Sequence, residues 1–425
     1  MAVKQLAAVL YGRHVADVWE TSYGQHHLRY TADRGVTPVS LSMPLAQDEH
    51  VRPVDAFLAG LLPDDPEVRR SIGAQFGVSG ENPFALLAQI GMDCAGGVQF
   101  CAPDLVEATL AREGELVPVS EVEIGARLRA FADHPGGSWL RSEERWSLAG
   151  AQSKLALRST DEGWAEARGS AATTHIVKPG VPRLRLQALN EHVCLAVAGR
   201  VGLAAASSVY TEFDGVPALV VERYDRQRLD DGRVARVHQE DVCQALAVPP
   251  TRKYEADGGP GAPRVLSLLS GPGMPAGAAM AFAGYLAFNY LAGATDAHVK
   301  NYSLMLIGPT PRLAPLYDVA SVFPYEPADP TRLDQMAMAI GGERVIGKVT
   351  DRHWAKLATT ARLDPDWLVD VVHELAERVP DAAADVLADG TLRTLGATEL
   401  ANRLLPKLAA NCRAASGSRR AARSV

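Results

Sequence analysis

At 425 residues, 47% hydrophobic and 22% charged, the chain is a globular protein with enough length for two or three cores. A formal net charge of −7 excludes broad non-specific attraction to nucleic acid and leaves room only for a local basic patch. The five cysteines (Cys94, Cys101, Cys194, Cys243, Cys412) are scattered, with no C-x-x-C, which suits a reducing cytoplasm rather than a disulfide framework or a zinc site.

Met1-Ala2-Val3-Lys4 opens a β-like run, not a signal peptide. Residues 5–10, 14–20 and 26–30 alternate as strands of a small antiparallel sheet. After the loop Leu41-Ser42-Met43-Pro44-Leu45, three short helices are expected at 54–62, 66–76 and 83–90. Pro66 lies in the first turn of the second, Asn82 caps the third and Gly91 stops it. Residues 97–101 form a strand, and Ser120-Glu121-Val122-Glu123 has capping-box spacing and starts a helix. Residues 145–157 suggest a hairpin with small residues at its tip. A strand at 174–178 leads through Pro179-Gly180 to a helix over 186–201, and strands at 208–213 and 218–223 flank Asp214-Gly215. Residues 238–247 look helical. Pro249-Pro250 and Gly258-Gly259-Pro260-Gly261 mark a hinge, after which helices dominate (352–358, 365–376, 382–387), except for strands at 302–306 and 313–316. The basic end from Arg413 is expected to be disordered. Residues 275–295 carry no charge, but Pro275, Gly277, Gly284, Gly293 and Asn289 favour a buried helix over a membrane span.

The chemistry concentrates in Asp296-Ala297-His298-Val299-Lys300-Asn301 and in Tyr317-Asp318. Phosphoryl transfer needs a carboxylate for the acceptor hydroxyl, oxygen ligands for magnesium and a cation on the phosphates. Asp296 and Asn301 have the five-residue spacing of a kinase catalytic loop, and Asp318 follows after two strand-like runs. Lys178 ends a strand and Glu191 lies on the next helix, in the order of a kinase lysine–glutamate pair. There is no G-x-G-x-x-G. Ala149-Gly150-Ala151-Gln152-Ser153-Lys154 offers small side chains and a terminal lysine, so its backbone N–H groups could cradle phosphates. Taken singly, each feature has a plainer account. Asp296 could cap a helix, Lys178 and Glu191 could be a surface pair, and Asp296, His298 and Asp318 could belong to a metal hydrolase.

In order, these motifs resemble the HipA family of serine/threonine kinases, the toxin half of bacterial toxin–antitoxin pairs. The resemblance runs through Leu41–Leu45, Leu61-Leu62-Pro63-Asp64, Asn82-Pro83-Phe84, Trp146 to Lys154, His175-Ile176-Val177-Lys178-Pro179, Glu222-Arg223-Tyr224-Asp225-Arg226, Gln239-Glu240-Asp241-Val242-Cys243-Gln244 and the two catalytic segments. It implies an α+β, protein-kinase-like two-lobe fold: an extra N-terminal subdomain (1–103), an ATP-binding N-lobe (104–247), a helical C-lobe (248–412) and a basic tail (413–425). It implies ATP and Mg2+ as cofactors. Asp296 would deprotonate the acceptor, and Asn301 and Asp318 would hold magnesium, with Tyr317 beside them. Lys178 and residues 149–154 would bind phosphates, Glu222, Arg223 and Tyr224 would line the adenine, and His298 and Lys300 would contact phosphates or stabilise transferred charge. Ser147 falls where the family autophosphorylates, which pulls the loop out of the ATP site and inactivates the enzyme. The implied partners are a HipB-like helix-turn-helix antitoxin, operator DNA through it, and a cytoplasmic protein substrate, by analogy an aminoacyl-tRNA synthetase, with no membrane. The Gly/Pro-rich residues 256–263 match no part of this pattern. A pseudokinase-like module in a repressor complex and a small-molecule kinase are the competing functions.

Overall fold

A computed structural model describes residues 5–326 and 334–422 and divides into two compact units. The first unit comprises Met1–Pro179, Glu212–Thr251 and Ser303–Pro311. Its first sheet is antiparallel, in the order Glu49–His50, His26–Tyr30, Arg13–Glu20, Gln5–Leu10, Gln99–Cys101. Alternation drives this sheet: Leu6, Ala8, Leu10, Ala16, Val18 and Leu28 turn inward. The helices Arg52–Gly60, Pro66–Phe76 and Pro83–Ile90 share that core through Phe57, Ile72, Phe84 and Leu87. Their starts follow the local chemistry. The Asp65 side chain accepts from Glu67 N, and that of Asn82 accepts from Ala85 N.

The second sheet of this unit contains, in order, Val216–Glu222, His175–Pro179, Leu155–Thr160, Gly163–Gly169 and Gly114–Val119. Glu121–Asp133 is a helix, and the capping box of Ser120 and Glu123 is formed. Residues 145–157 do not close as a hairpin. Trp146–Ser147 pairs instead in parallel with Asp93–Cys94, a partner far away in sequence that no local pattern could signal. Residues 238–247 also depart from expectation. Gln239–Asp241 is a strand, bonded to Ser303–Ile307, and only Val242–Ala245 is helical.

The same core is tied by buried charge. Asp93 Oδ1 accepts from Arg226 and Arg236, and its Oδ2 from Thr173 and Arg223. Asp225 takes the other side of Arg223. Burial works against the charge on Asp93, but the three guanidinium groups outweigh it and hold the carboxyl well below its ordinary range.

The second unit comprises Gly180–Thr211, Arg252–Tyr302 and Arg312–Val425. Helix Pro365–Leu387 packs on Gln187–Arg200, Ala278–Ala292 and Ala397–Ala422. The uncharged helix Ala278–Ala292 is apolar all round and almost wholly buried, as a core helix must be. Among the described residues no helix is long and apolar enough to cross a membrane. The helices expected at 365–376 and 382–387 are one, Pro365–Leu387, with Pro380 inside it, and its packing face absorbs a single lost hydrogen bond. The expectation of disorder from Arg413 is corrected: the last helix runs to Ala422. Leu400, Leu404, Leu408, Cys412 and Ala415 continue one buried stripe that carries the helix past Arg413. Residues 1–4 and 423–425 lie outside the described residues. A hairpin of Gln335–Ile340 and Glu343–Val345, turning at Gly341-Gly342, joins the helices of this unit.

Candidate active site

In the second unit the helix Ala278–Ala292 ends at Gly293, and the chain turns at once into the catalytic segment. Asp296 is exposed, whereas His298, Lys300 and Asn301 are buried to 9% exposure or less. The carbonyl oxygen of Asp296 accepts from His298 N (2.7 Å) and from Asn301 Nδ2 (3.0 Å). That double acceptance folds the six residues back on themselves and holds the Asp296 backbone. It also engages the Asn301 amide nitrogen, which leaves Oδ1 on the other side of the amide group. Thr295 O accepts from Ala337 N on the hairpin (2.8 Å).

Asp318 belongs to the same unit. Its φ of +58° is in the left-handed region, which Asp tolerates better than most residues. Backbone strain of this kind clusters where a side chain must be aimed. Tyr317 Oη donates to Lys300 O at 2.7 Å and so stitches the Asp318 segment to the segment of Asp296 and Asn301. Two oxygen-bearing side chains, Asn301 and Asp318, are therefore on linked segments. Among the described residues no group of three His, Cys, Asp or Glu side chains converges as a metal site, so the hydrolase reading of Asp296, His298 and Asp318 gains no support.

In the first unit Lys178 is buried on His175–Pro179, in register with Leu219. The turn of residues 149–154 is tied down at several points. Ser147 Oγ, 1% exposed as a residue, donates to Leu61 O at 2.8 Å, and Asp64 N donates to Gly150 O at 2.9 Å. Gln152 Nε2 donates to Pro179 O at 2.6 Å, beside Lys178, and Lys154 Nζ reaches back to Ala149 O at 2.5 Å. Gly150 has φ +104°, a conformation that an L side chain resists. Leu61-Leu62-Pro63-Asp64, recognised only as a sequence motif, is thus the brace of this turn. Ala151 is exposed, and Ser153 is half-buried.

Glu222 is exposed at the end of its strand, and Tyr224 Oη donates to Gln239 Oε1 at 2.5 Å. Arg223 stands apart from its sequence neighbours. Its guanidinium is spent on Asp93, Asp225, Thr173 and Cys94 O, so the side chain serves the buried charge cluster. Glu191 is buried on Gln187–Arg200 in the second unit, where Gln187 Nε2 donates to it at 3.4 Å. Sequence reasoning missed Tyr254, whose Oη donates to Asp296 Oδ1 at 2.7 Å. A tyrosine 42 residues from its partner, in a stretch without a motif, carries no spacing signal.

A sheet unit with a strand lysine and a braced glycine turn, and a helical unit carrying Asp296, Asn301 and Asp318, define a protein kinase. Comparison with known proteins gives the family. The HipA N-terminal domain matches residues 6–101, and the HipA-like C-terminal domain matches residues 146–383. The chain belongs to the HipA family of serine/threonine kinases. The serine/threonine-protein kinase toxin HipA of Shewanella oneidensis is 30% identical over 394 residues, covering 90% of this chain and 88% of that one. The Sinorhizobium fredii protein Y4mE is 35% identical over 400 residues, covering 92% and 93%. The solved complex of Shewanella oneidensis MR-1 HipA, HipB and operator DNA contains a chain that superposes with a TM-score of 0.83 at 27% identity, covering 99% of both chains.

Proposed function

We propose that this kinase transfers the γ-phosphoryl group of magnesium-bound ATP to a serine or threonine hydroxyl, and that it is the toxin of a toxin–antitoxin pair. The observation that carries the reading is the exposed Asp296 carboxylate, on a backbone held from within, beside the Tyr317–Lys300 stitch that brings in Asp318. Asp296 orients the acceptor hydroxyl and takes its proton as the bond to phosphorus forms. Asn301 and Asp318 hold magnesium, which when bound neutralises charge on the phosphates. Lys178 and the N–H groups of residues 149–154 bind phosphate oxygens. Glu222 and Tyr224 serve the adenine through their backbone. His298 and Lys300 are assigned to transferred charge.

Autophosphorylation at Ser147 belongs to the same reading. Its buried hydroxyl, bonded to Leu61 O, becomes an acceptor only after Trp146–Ser147 leaves its strand partner. A dianionic phosphate has no place against Leu61 O, so modification would keep the turn out. Likeness to HipA in a complex with HipB and operator DNA supports a helix-turn-helix antitoxin and its DNA as partners. A translation component, by analogy an aminoacyl-tRNA synthetase, is the proposed substrate.

The test is transfer of label from γ-labelled ATP by the purified full chain, alone and in bacterial lysate, comparing wild type with Asp296→Asn and Ser147→Ala. Label on lysate protein from wild type, lost in Asp296→Asn, is expected, as is self-label lost in Ser147→Ala. No label from wild type with magnesium and ATP sinks the reading. Phosphopeptide mapping of the lysate names the substrate.

A further inference from the structure

The sequence attaches no catalytic role to residues 249–262, yet they deliver a side chain to the centre of the site. Tyr254 Oη donates to Asp296 Oδ1 at 2.7 Å, and its ring packs edge-to-face with the His298 ring, centroids 4.9 Å apart at 81°. Two residues of the catalytic segment are therefore held by one tyrosine.

The tyrosine is itself held firmly. Its carbonyl oxygen accepts from Asp257 N (3.1 Å) and Gly259 N (2.9 Å), closing a tight turn over Glu255–Asp257. Gly259 approaches so closely that an added Cβ would come within 2.0 Å of Arg252 O, so the turn tolerates no side chain there. Glu255 then anchors the turn, its Oε2 accepting from Ala339 N at 2.6 Å. Ala339 is on the strand Gln335–Ile340, whose Ala337 N donates to Thr295 O. One strand thus sets the positions of both the tyrosine turn and the residue before Asp296. This gives the Gly/Pro-rich stretch a physical purpose: it is the mount for Tyr254.

We propose that Tyr254 is a positioning residue for phosphoryl transfer. By fixing Oδ1 it sets the carboxylate plane of Asp296 and aims Oδ2 at the acceptor hydroxyl. The proposal rests on Asp296 being the acceptor-facing base. Tyr254 exchanges no proton in the net reaction; it remains a donor to Oδ1 throughout. A base displaced by about 1 Å loses on the order of a hundredfold in rate, and a carboxylate freed only to rotate loses less, roughly tenfold.

The experiment uses the full chain and γ-labelled ATP, with the chain itself and bacterial lysate proteins as acceptors. Tyr254→Phe is expected to lower the maximal transfer rate roughly tenfold, with the KM for ATP and the affinity for a fluorescent ATP analogue within about twofold of wild type. Phe keeps the ring edge against His298, so a role in packing alone predicts a wild-type rate for Tyr254→Phe and a loss only in Tyr254→Ala. That outcome overturns the proposal. A faster Tyr254→Phe overturns it too, since the hydroxyl would then be blocking the acceptor's place. The underlying reading fails separately, through an inactive wild type or an Asp296→Asn variant as active as wild type.

Discussion

Glu240 is a buried carboxyl with no cationic partner among its hydrogen bonds. Ser40 Oγ donates to its Oε2 at 2.5 Å and Leu41 N to its Oε1 at 2.8 Å. Burial pushes its pKa up to about 8, more strongly than these two donors pull it down, with the Asp241 charge adding to the rise. The sign follows from linkage. The folded state keeps the proton to higher pH than the unfolded chain, so the stability is fully present below pH 4.5, the ordinary value, and is lost as pH rises toward 8. At pH 7 the loss is about 3 kcal/mol, because the unfolded carboxyl is ionised through roughly 2.5 units that the folded one resists.

Glu240→Gln removes that dependence and keeps the contacts. The amide oxygen accepts from Leu41 N, and Ser40 Oγ can accept from the amide nitrogen and turn its proton to Ser42 Oγ, 2.7 Å away. Thermal melts of wild type and Glu240→Gln from pH 5 to 8.5 are the assay. The variant should gain on wild type as pH rises, by roughly 6–12 °C at pH 7 for a unit of this size. A constant offset between the two across the whole range would refute the argument and show that Glu240 is already ionised when folded.

Two further changes probe other parts of the first unit. Gly150→Ala forces a side chain into φ +104°, and its Cβ would come within 2.7 Å of Lys154 Nζ. A strain of about 1–3 kcal/mol falls on the braced turn, so a fluorescent ATP analogue should bind roughly tenfold more weakly by titration, and the melting temperature should fall by roughly 2–12 °C. Asp93→Asn places an amide where five donors converge and strips three arginines, two of them buried, of a shared anion, so it should cost about 3–5 kcal/mol, measured by urea unfolding.

What the sequence disclosed was mainly local. Asp65, Asn82 and Ser120 cap helices by their own side chains, and Asp214-Gly215 turns with φ of +48° and +73°, because such geometry depends on adjacent residues. The segments proposed as catalytic stood out for the same reason: Asp296, Asn301 and Asp318 lie within 23 residues. Contacts closed across long separations left no trace. The pairing of residues 146–147 with 93–94, the turn of Arg223 into the Asp93 cluster and the hold of Tyr254 on Asp296 all depend on where distant segments meet. The hairpin at residues 335–345 was missed although it turns at paired glycines, because its first strand, Gln335–Ile340, lacks clean alternation: three of its residues in a row are buried.

The long-range contacts also recast the N-terminal subdomain. A boundary near residue 103 suits the motif layout, but the first unit runs without a break through Pro179. Three separate ties cross that boundary. Ser40 and Leu41 hold Glu240, Leu61 and Asp64 hold Ser147 and Gly150, and Asp93 binds Arg223, Arg226 and Arg236. Every partner except Arg236 lies in a stretch that resembles the family: the turn of residues 147–154, the segment from Glu222 to Arg226, or the segment from Gln239 to Gln244. If the subdomain were an appended module, its contacts would be surface ones, and their loss would leave the turn of residues 149–154 intact. Instead it supplies the hydrogen-bond acceptor for Ser147 and the donor for Gly150, so the position of that turn is set by residues 61–64 as much as by the sheet that follows. Any event that draws Ser147 outward must break the subdomain's hold first, which couples the state of the turn to the integrity of residues 40–100.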